Sequence, residues 1–316
     1  MSNIKLTEDR GPAAQVETDI ISKRNHVRPY AHCEYGGGFL IFDYIDGSKE
    51  VWRRVDDFDE DEAASVVPES RPGERQRRIS ARAAEKYSTA SGASTRGHFR
   101  PWAVLHPPQM TRAFRFSYPI LGAAAWEEVY LWDVRTGALV QTIRQTQQDP
   151  VGDDNEMLLG DINYIEVSEK YVFLCGFLSL RVFSRETGKS VLDLSSSKHP
   201  IAAWNISVSP VKPAPGVNGS SLVLENLEYE LAPVEQSNIM KEFIAVHIST
   251  CGSHLAALML RSKLLIVRDF EKVFKHSVPL RELSMEVQLG SACHSSRYLA
   301  FENGRIGVAT VGSLPL

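Results

Sequence analysis

His247, Cys251 and His254 have the spacing of a metal site, His-x3-Cys-x2-His. Zinc takes imidazole nitrogen and thiolate sulfur, and a structural zinc needs four such ligands. No fourth ligand lies nearby, and Ser249-Thr250-Cys251-Gly252-Ser253 reads as a turn between strands. The expectation is therefore a structural turn and no metal. His26, His32 and Cys33 are a looser group with no completing pair. Gly36-Gly37-Gly38 lacks the Lys-Ser/Thr and the following helix of a phosphate cradle, and reads as a turn ahead of a strand. Neither G-x-S-x-G nor H-E-x-x-H occurs, so the chain carries no nucleophile elbow and no zinc-protease helix. The expectation is a protein that is not an enzyme, with no catalytic, cofactor-binding or metal residue.

Two charged runs carry a different chemistry. Six of the seven residues from Asp56 to Glu62 are acids, without the D-x-D-x-D-G spacing of a calcium loop. Like charges there repel and favour a solvated tract. Arg75-Gln76-Arg77-Arg78-Ile79-Ser80 has the form of a basophilic kinase site. Phosphate on Ser80 would neutralise part of the basic block and re-pair it with neighbouring arginines. The same block could serve as a short nuclear-import patch.

Composition bounds the rest. The chain has 316 residues, 43% of them apolar, which is enough to bury a core. It carries 35 basic and 39 acidic residues, a net charge of −4, and so lacks the basic face that a general nucleic-acid binder needs. Its 4 cysteines are widely separated with no C-x-x-C, which excludes a disulfide scaffold or zinc ribbon. The densest apolar run, Tyr171 to Leu180, is half the length that crosses a bilayer. The first 20 residues hold no apolar signal core, so the expected location is cytoplasmic or nuclear.

The elements that would position any site are strands. Phe39–Ile45 and Lys49–Arg54 flank Asp46-Gly47 and read as a hairpin, because the Asp-Gly pair supplies the positive φ of a tight turn. Further strands are expected at 129–134, 138–143, 162–167, 171–175, 180–183, 191–194, 243–248, 254–260, 264–267, 285–289, 297–301 and 306–311. No segment sustains a 3.6-residue period, and this even spacing argues for an all-β sandwich or propeller. Residues 1–35 read as a mobile leader, residues 36–316 as the β domain, and residues 55–98 as a disordered acidic and basic loop within it.

The strands repeat. Trp132-Asp133-Val134-Arg135-Thr136-Gly137, with the strand to Ile143, aligns at an offset of 51 with Phe183-Ser184-Arg185-Glu186-Thr187-Gly188 and the strand to Leu194. Phe42-Asp43 with Asp46-Gly47 is a looser third copy, and Ile266 to Phe270 a fourth without the glycine. A unit this short cannot bury its own face and must stack on a neighbour. VYLWDVRTGALVQTI resembles the third strand, turn and fourth strand of a WD-repeat β-propeller blade. The stretch GDINYIEVSEKYVFLCGFLSLRVFSRETGKSVLDL is similar to the propeller portion of fungal F-box proteins, the likeness being strongest over 126–194. Two features depart from the family: His106, 26 residues before Trp132, follows Leu105 where the family has glycine, and the second copy has Ser184 for Asp133. Nothing in residues 1–38 matches an F-box.

The resemblance implies a WD-repeat-like β-propeller, its ring closed or incomplete, acting as a non-catalytic protein–protein interaction module. Its context would be substrate recognition in an F-box-type ubiquitin ligase, with protein partners and no cofactor, membrane or nucleic acid. The alternatives are a free-standing scaffold unrelated to ubiquitin and a propeller-type hydrolase or lectin. Trp132, Asp133, Gly137, Phe183 and Gly188 are expected as structural blade positions, and Ser80 as a phosphosite.

Overall fold

The computed structural model describes residues 32–88, 98–148, 158–195, 204–211, 221–227, 242–260, 263–289 and 296–310. Contacts divide the chain into two compact units. One is Met1–Thr111 with Arg115–Ala123 and Tyr130–Thr142; the other is Arg112–Phe114 with Ala124–Val129 and Ile143–Leu316.

Strands dominate and pair in chain order. β1 (Cys33–Gly36), β2 (Phe39–Asp43), β3 (Lys49–Arg54) and β4 (Phe99–Leu105) form a four-stranded antiparallel sheet. β5 (Ala113–Ser117), β6 (Ile120–Ala124), β7 (Glu128–Asp133) and β8 (Ala138–Arg144) form a second four-stranded sheet. β9 (Ile162–Val167), β10 (Tyr171–Gly176), β11 (Ser179–Ser184) and β12 (Ser190–Ser195) form a third, antiparallel throughout. β13 (Trp204–Val211) and β14 (Ser221–Leu227) are a hairpin. The last blade-like set is β15 (Phe243–Ile248), β16 (Leu255–Met259), β17 (Lys263–Val267) and β18 (Ser284–Gln288), and β13 runs parallel beside β18 at its edge. β19 (Ser296–Glu302) and β20 (Arg305–Thr310) close the described chain as a two-stranded sheet.

This is the mostly β, propeller-like architecture expected from the sequence, and packing explains it. Successive side chains of a strand point to opposite faces. In β16, Leu255, Ala257 and Met259 therefore meet Phe173, Leu180 and Val182 of the third sheet, whereas Ala256 and Leu258 meet Leu299 and Phe301 of β19. A sheet covered on both faces needs apolar residues at every position. β10 is such a strand, buried from Tyr171 through Gly176.

Two expectations need correction. The ordered chain begins before residue 36, because Cys33–Gly36 pairs with Phe39–Phe42 across the Gly37-Gly38 turn. Residues 55–98 are not a disordered loop over their described part. α1 (Glu60–Ala64) and α2 (Glu74–Ser88) are helices, joined through a 3-10 turn at Pro68–Ser70. Asp59 accepts the Asp61 and Glu62 amide hydrogens at 2.8 and 3.3 Å, and Glu60, Asp61 and Glu62 fill the first turn. Part of the acid run is thus a capped helix start, where negative charge meets the positive end of the helix dipole.

α2 is held by polar anchors on its inner face. Gln76, 1% exposed, donates its amide to the carbonyls of Val51 and Ala103, each at 3.2 Å. The β3–β4 register slips between Val51 and Trp52, and the glutamine supplies donors where the ladder is irregular. Arg75 pairs with Glu50, whose carboxyl burial holds above its ordinary range. Ile79 packs on Leu40, Phe42 and Trp52.

Candidate protein-interaction surface

The aligned turns have the same backbone build. Trp132 and Phe183 are buried near the ends of β7 and β11, each the third strand of its sheet. Gly137 has φ +66° and donates its amide to Asp133 O at 2.8 Å; Gly188 has φ +69° and donates to Ser184 O at 2.8 Å. Thr136 Oγ1 accepts the Ala138 amide and Thr187 Oγ1 the Lys189 amide, each at 3.3 Å. The copies differ before the glycine. Asp133 accepts the Arg135 amide at 3.0 Å and binds that guanidinium at 2.6 and 3.0 Å, which lowers its pKa. Ser184 Oγ accepts only a long bond, 3.4 Å, from the Thr187 amide.

The looser copies sit differently. Gly47, φ +88°, turns β2 into β3, the second and third strands of the first sheet, and Asp43 pairs with the buried Lys49. The Ile266–Phe270 copy ends a third strand, but α3 (Glu271–Lys275) and α4 (Leu280–Leu283) intervene before β18. Ser80 lies half-buried within α2.

The metal-like spacing does not gather its residues. His247 Nδ1 lies 3.1 Å from Glu166 Oε2, and its Nε2 lies 3.1 Å from the Tyr164 hydroxyl. His254 Nδ1 instead accepts the Asp269 amide at 3.0 Å. The exposed Cys251 sits in the intervening turn with Sγ 3.2 Å from Ser249 Oγ, a bond that lowers the thiol pKa. Among the described residues no group of three or more His, Cys, Asp or Glu could hold a metal ion. His32 pairs with Glu34, and His26 lies outside the described residues.

A built surface emerges where no motif pointed. Trp126, Leu158 and Phe177 are 39%, 43% and 37% exposed. They come from the β6–β7 turn, the entry to β9 and the β10–β11 turn. Gln147, 3% exposed, ties the first two segments together, and backbone bonds from Phe177 to Asp161 and from Leu178 to Leu159, each at 3.1 Å, add the third. Its amide nitrogen donates to Trp126 O at 2.9 Å and Gly160 O at 3.1 Å, and its amide oxygen accepts the Gly160 N–H at 3.0 Å. A Cβ on Gly160 would stand 3.1 Å from the Phe177 Cβ, which sets how close the last two segments approach.

Gln147 is itself held in place. Arg181, fully buried in β11, donates to the carbonyls of Thr146 at 3.0 Å and Gln148 at 2.7 Å, and pairs with Asp193 at 2.7 Å. One guanidinium thus grips the backbone on both sides of Gln147 and fixes where its side chain reaches. Exposed aromatic and aliphatic side chains on a backbone held by satisfied polar groups are the parts of a protein-binding hot spot. Sequence reasoning missed this surface, because both anchors act on backbone carbonyls that leave no trace in the residue pattern.

No family model matches the chain, and no curated protein does. Solved structures resemble it weakly. The β-propeller domain of Myceliophteria thermophila Cps50 (Swd1) matches at 14% identity over 91% of this chain and 64% of its own, with TM-score 0.42. Kluyveromyces lactis Hsv2 matches at 10% identity over 85% and 60%, with TM-score 0.40. Kluyvelomyces marxianus Hsv2 matches at 11% identity over 78% and 52%, with TM-score 0.37. The chain spans less than two thirds of the length of each of these structures.

Proposed function

We propose that this chain is a non-catalytic protein-interaction module that binds a protein partner through Trp126, Leu158 and Phe177. The carrying observation is the pre-set frame beneath them: Gln147 binds the backbone of two of the three segments, and Arg181 fixes Gln147. A rigid apolar patch loses little conformational freedom on binding, so its burial converts efficiently into affinity. The partner is expected to present an apolar or aromatic anchor. Among the described residues, no helix is long and apolar enough to cross a membrane.

The finer reading is substrate recognition in an F-box-type ubiquitin ligase, in the cytoplasm or nucleus. It is supported by the sequence likeness over 126–194 alone. A Skp-type adaptor among the bound proteins would favour it over a free-standing scaffold.

The test compares proteins captured by the wild type, by the double variant Trp126→Asp with Phe177→Asp, and by Leu139→Asp. Leu139 is an exposed apolar residue on β8 and serves as the control. The expected result is a set of partners kept by the control and lost by the double variant, with all three melting alike. Identical capture by all three proteins would overturn the reading.

A further inference from the structure

We propose that Ser80 is the acceptor site of an arginine-directed serine kinase, and that phosphate on Ser80 keeps α2 from docking on the β1–β4 sheet. This inference stands apart from the apolar surface and survives or fails without it.

The recognition chemistry is local. Arg75, Arg77 and Arg78 precede Ser80 by five, three and two residues. In an extended chain these guanidiniums line up on the N-terminal side of the acceptor hydroxyl, where an acidic kinase groove reads them in register. In the helix that register is lost, and of the three only Arg77, one turn back, stays near Ser80. At about 100° per residue, Gln76, Ile79, Ser80 and Ala83 share one face, and Arg78 points almost opposite Ser80. Burial agrees: Gln76 is buried, Ile79, Ser80 and Ala83 are half-buried, and Arg77, Arg78, Ala81 and Arg82 are exposed. The kinase therefore acts on the opened form of α2.

Opening is within reach of ordinary fluctuation. α2 is anchored by the two Gln76 hydrogen bonds, the Arg75–Glu50 pair, the Arg75 guanidinium 4.5 Å over the Tyr44 ring and the packing of Ile79. Most of its other residues face solvent, and surface segments of this kind open locally, well before the whole protein unfolds. Phosphoryl transfer then replaces the Ser80 Oγ–H bond by Oγ–P. The γ-phosphoryl group comes from ATP, ADP leaves, and the hydroxyl proton passes to the kinase's base.

Return to the sheet is then opposed on two counts. A phosphate of charge near −2 would sit one residue from Ile79, on the face applied to Leu40, Phe42 and Trp52. Pressing such a charge against an apolar face is unfavourable. The buried carboxylate nearby, Glu50, already consumes the Arg75 guanidinium, so the phosphate competes for that cation. Arg77, one turn back and exposed, pairs with the phosphate on the solvent side and draws it away from the sheet.

The experiment incubates the full chain with ATP and a purified arginine-directed serine kinase. Phosphate is mapped by mass spectrometry, and amide hydrogen exchange is followed with and without it. The expected result is incorporation at Ser80 and none in Ser80→Ala. Exchange over residues 74–88 should accelerate at least about tenfold while β2 and β3 stay protected. Replacing Arg77 and Arg78 by Gln should slow incorporation. No phosphate at Ser80 would overturn the site, and phosphate with unchanged exchange over 74–88 would overturn the release.

Discussion

The turns at Asp133–Gly137 and Ser184–Gly188 share strand position, glycine φ and internal bonds, yet among the described residues only the first has a neighbour against its glycine. The Val67 amide donates to Thr136 O at 2.9 Å, and Ser70 Oγ donates to Gly137 O at 2.6 Å. A Cβ on Gly137 would lie 2.6 Å from the Ser70 Cβ, whereas nothing among the described residues comes within 4 Å of a Cβ on Gly188. The left-handed glycine closes the turn and leaves adjacent carbonyls pointing outward as acceptors. The same backbone can thus be a plain strand connection or a receptor for a passing segment. The segment carrying Ser70 decides which it becomes.

The largest expected effect tests whether the two copies are equivalent beneath their turns. Trp132→Ala and Phe183→Ala should each cost about 3–5 kcal/mol, the usual range for truncating a buried large aromatic. Urea unfolding of both variants measures this. Matching losses would make the copies equivalent in the core, and a Trp132→Ala protein that melts like the wild type would remove Trp132 from the core.

The glycines should separate the copies. Gly188→Ala meets only the strain of a left-handed alanine, about 1–2 kcal/mol. Gly137→Ala meets that strain and the Ser70 side chain as well, so it should cost about 1 kcal/mol more. It should also loosen residues 66–70 toward limited proteolysis, which Gly188→Ala should not. Equal behaviour of the two single variants would mean that the contact at Gly137 is slack.

How far these features could be read beforehand depends on what kind of side chain carries them. Ile162–Val167 and Phe243–Ile248 were legible to the residue, and β7, β8, β11 and β12 to within one residue at each end, because aliphatic runs bounded by turn residues betray buried strands. α2 was hidden because its inward face is Gln76, Ile79, Ser80 and Ala83, which barely registers as an apolar stripe. The start of α1 was hidden because its cap, Asp59, is one acid among six. Trp126, Leu158 and Phe177 span some fifty residues of sequence, and what brings their segments together is bonds to backbone, those of Gln147 and Arg181 among them. The read strand Met285–Leu289 is β18, shifted by one residue, but its parallel neighbour β13 falls where no strand was read. Patterns of apolar residues report packing between strands, and they are silent on side chains that bind backbone.

The smallest effect concerns the one chemical difference inside the turns, Asp133 against Ser184. The Arg135 guanidinium and amide stabilise the Asp133 carboxylate and hold its pKa below the ordinary value. A carboxyl with a lowered folded pKa contributes stability above its unfolded pKa, near 3.9, and loses it as pH falls through the folded value. Arg135 is largely exposed, so solvent screening should limit the contribution to under about 1 kcal/mol. Asp133→Asn should therefore be slightly less stable than the wild type at neutral pH, and the gap should close below about pH 4 as the wild-type carboxyl takes up its proton. Ser184→Ala offers the matched control, with no titrating group and no such pH dependence. A gap for Asp133→Asn that stays constant from neutral to acid pH would show that the aspartate acts through its hydrogen-bond geometry alone. The two turns would then differ in hydrogen bonding and in the segment that covers the first, and not in charge.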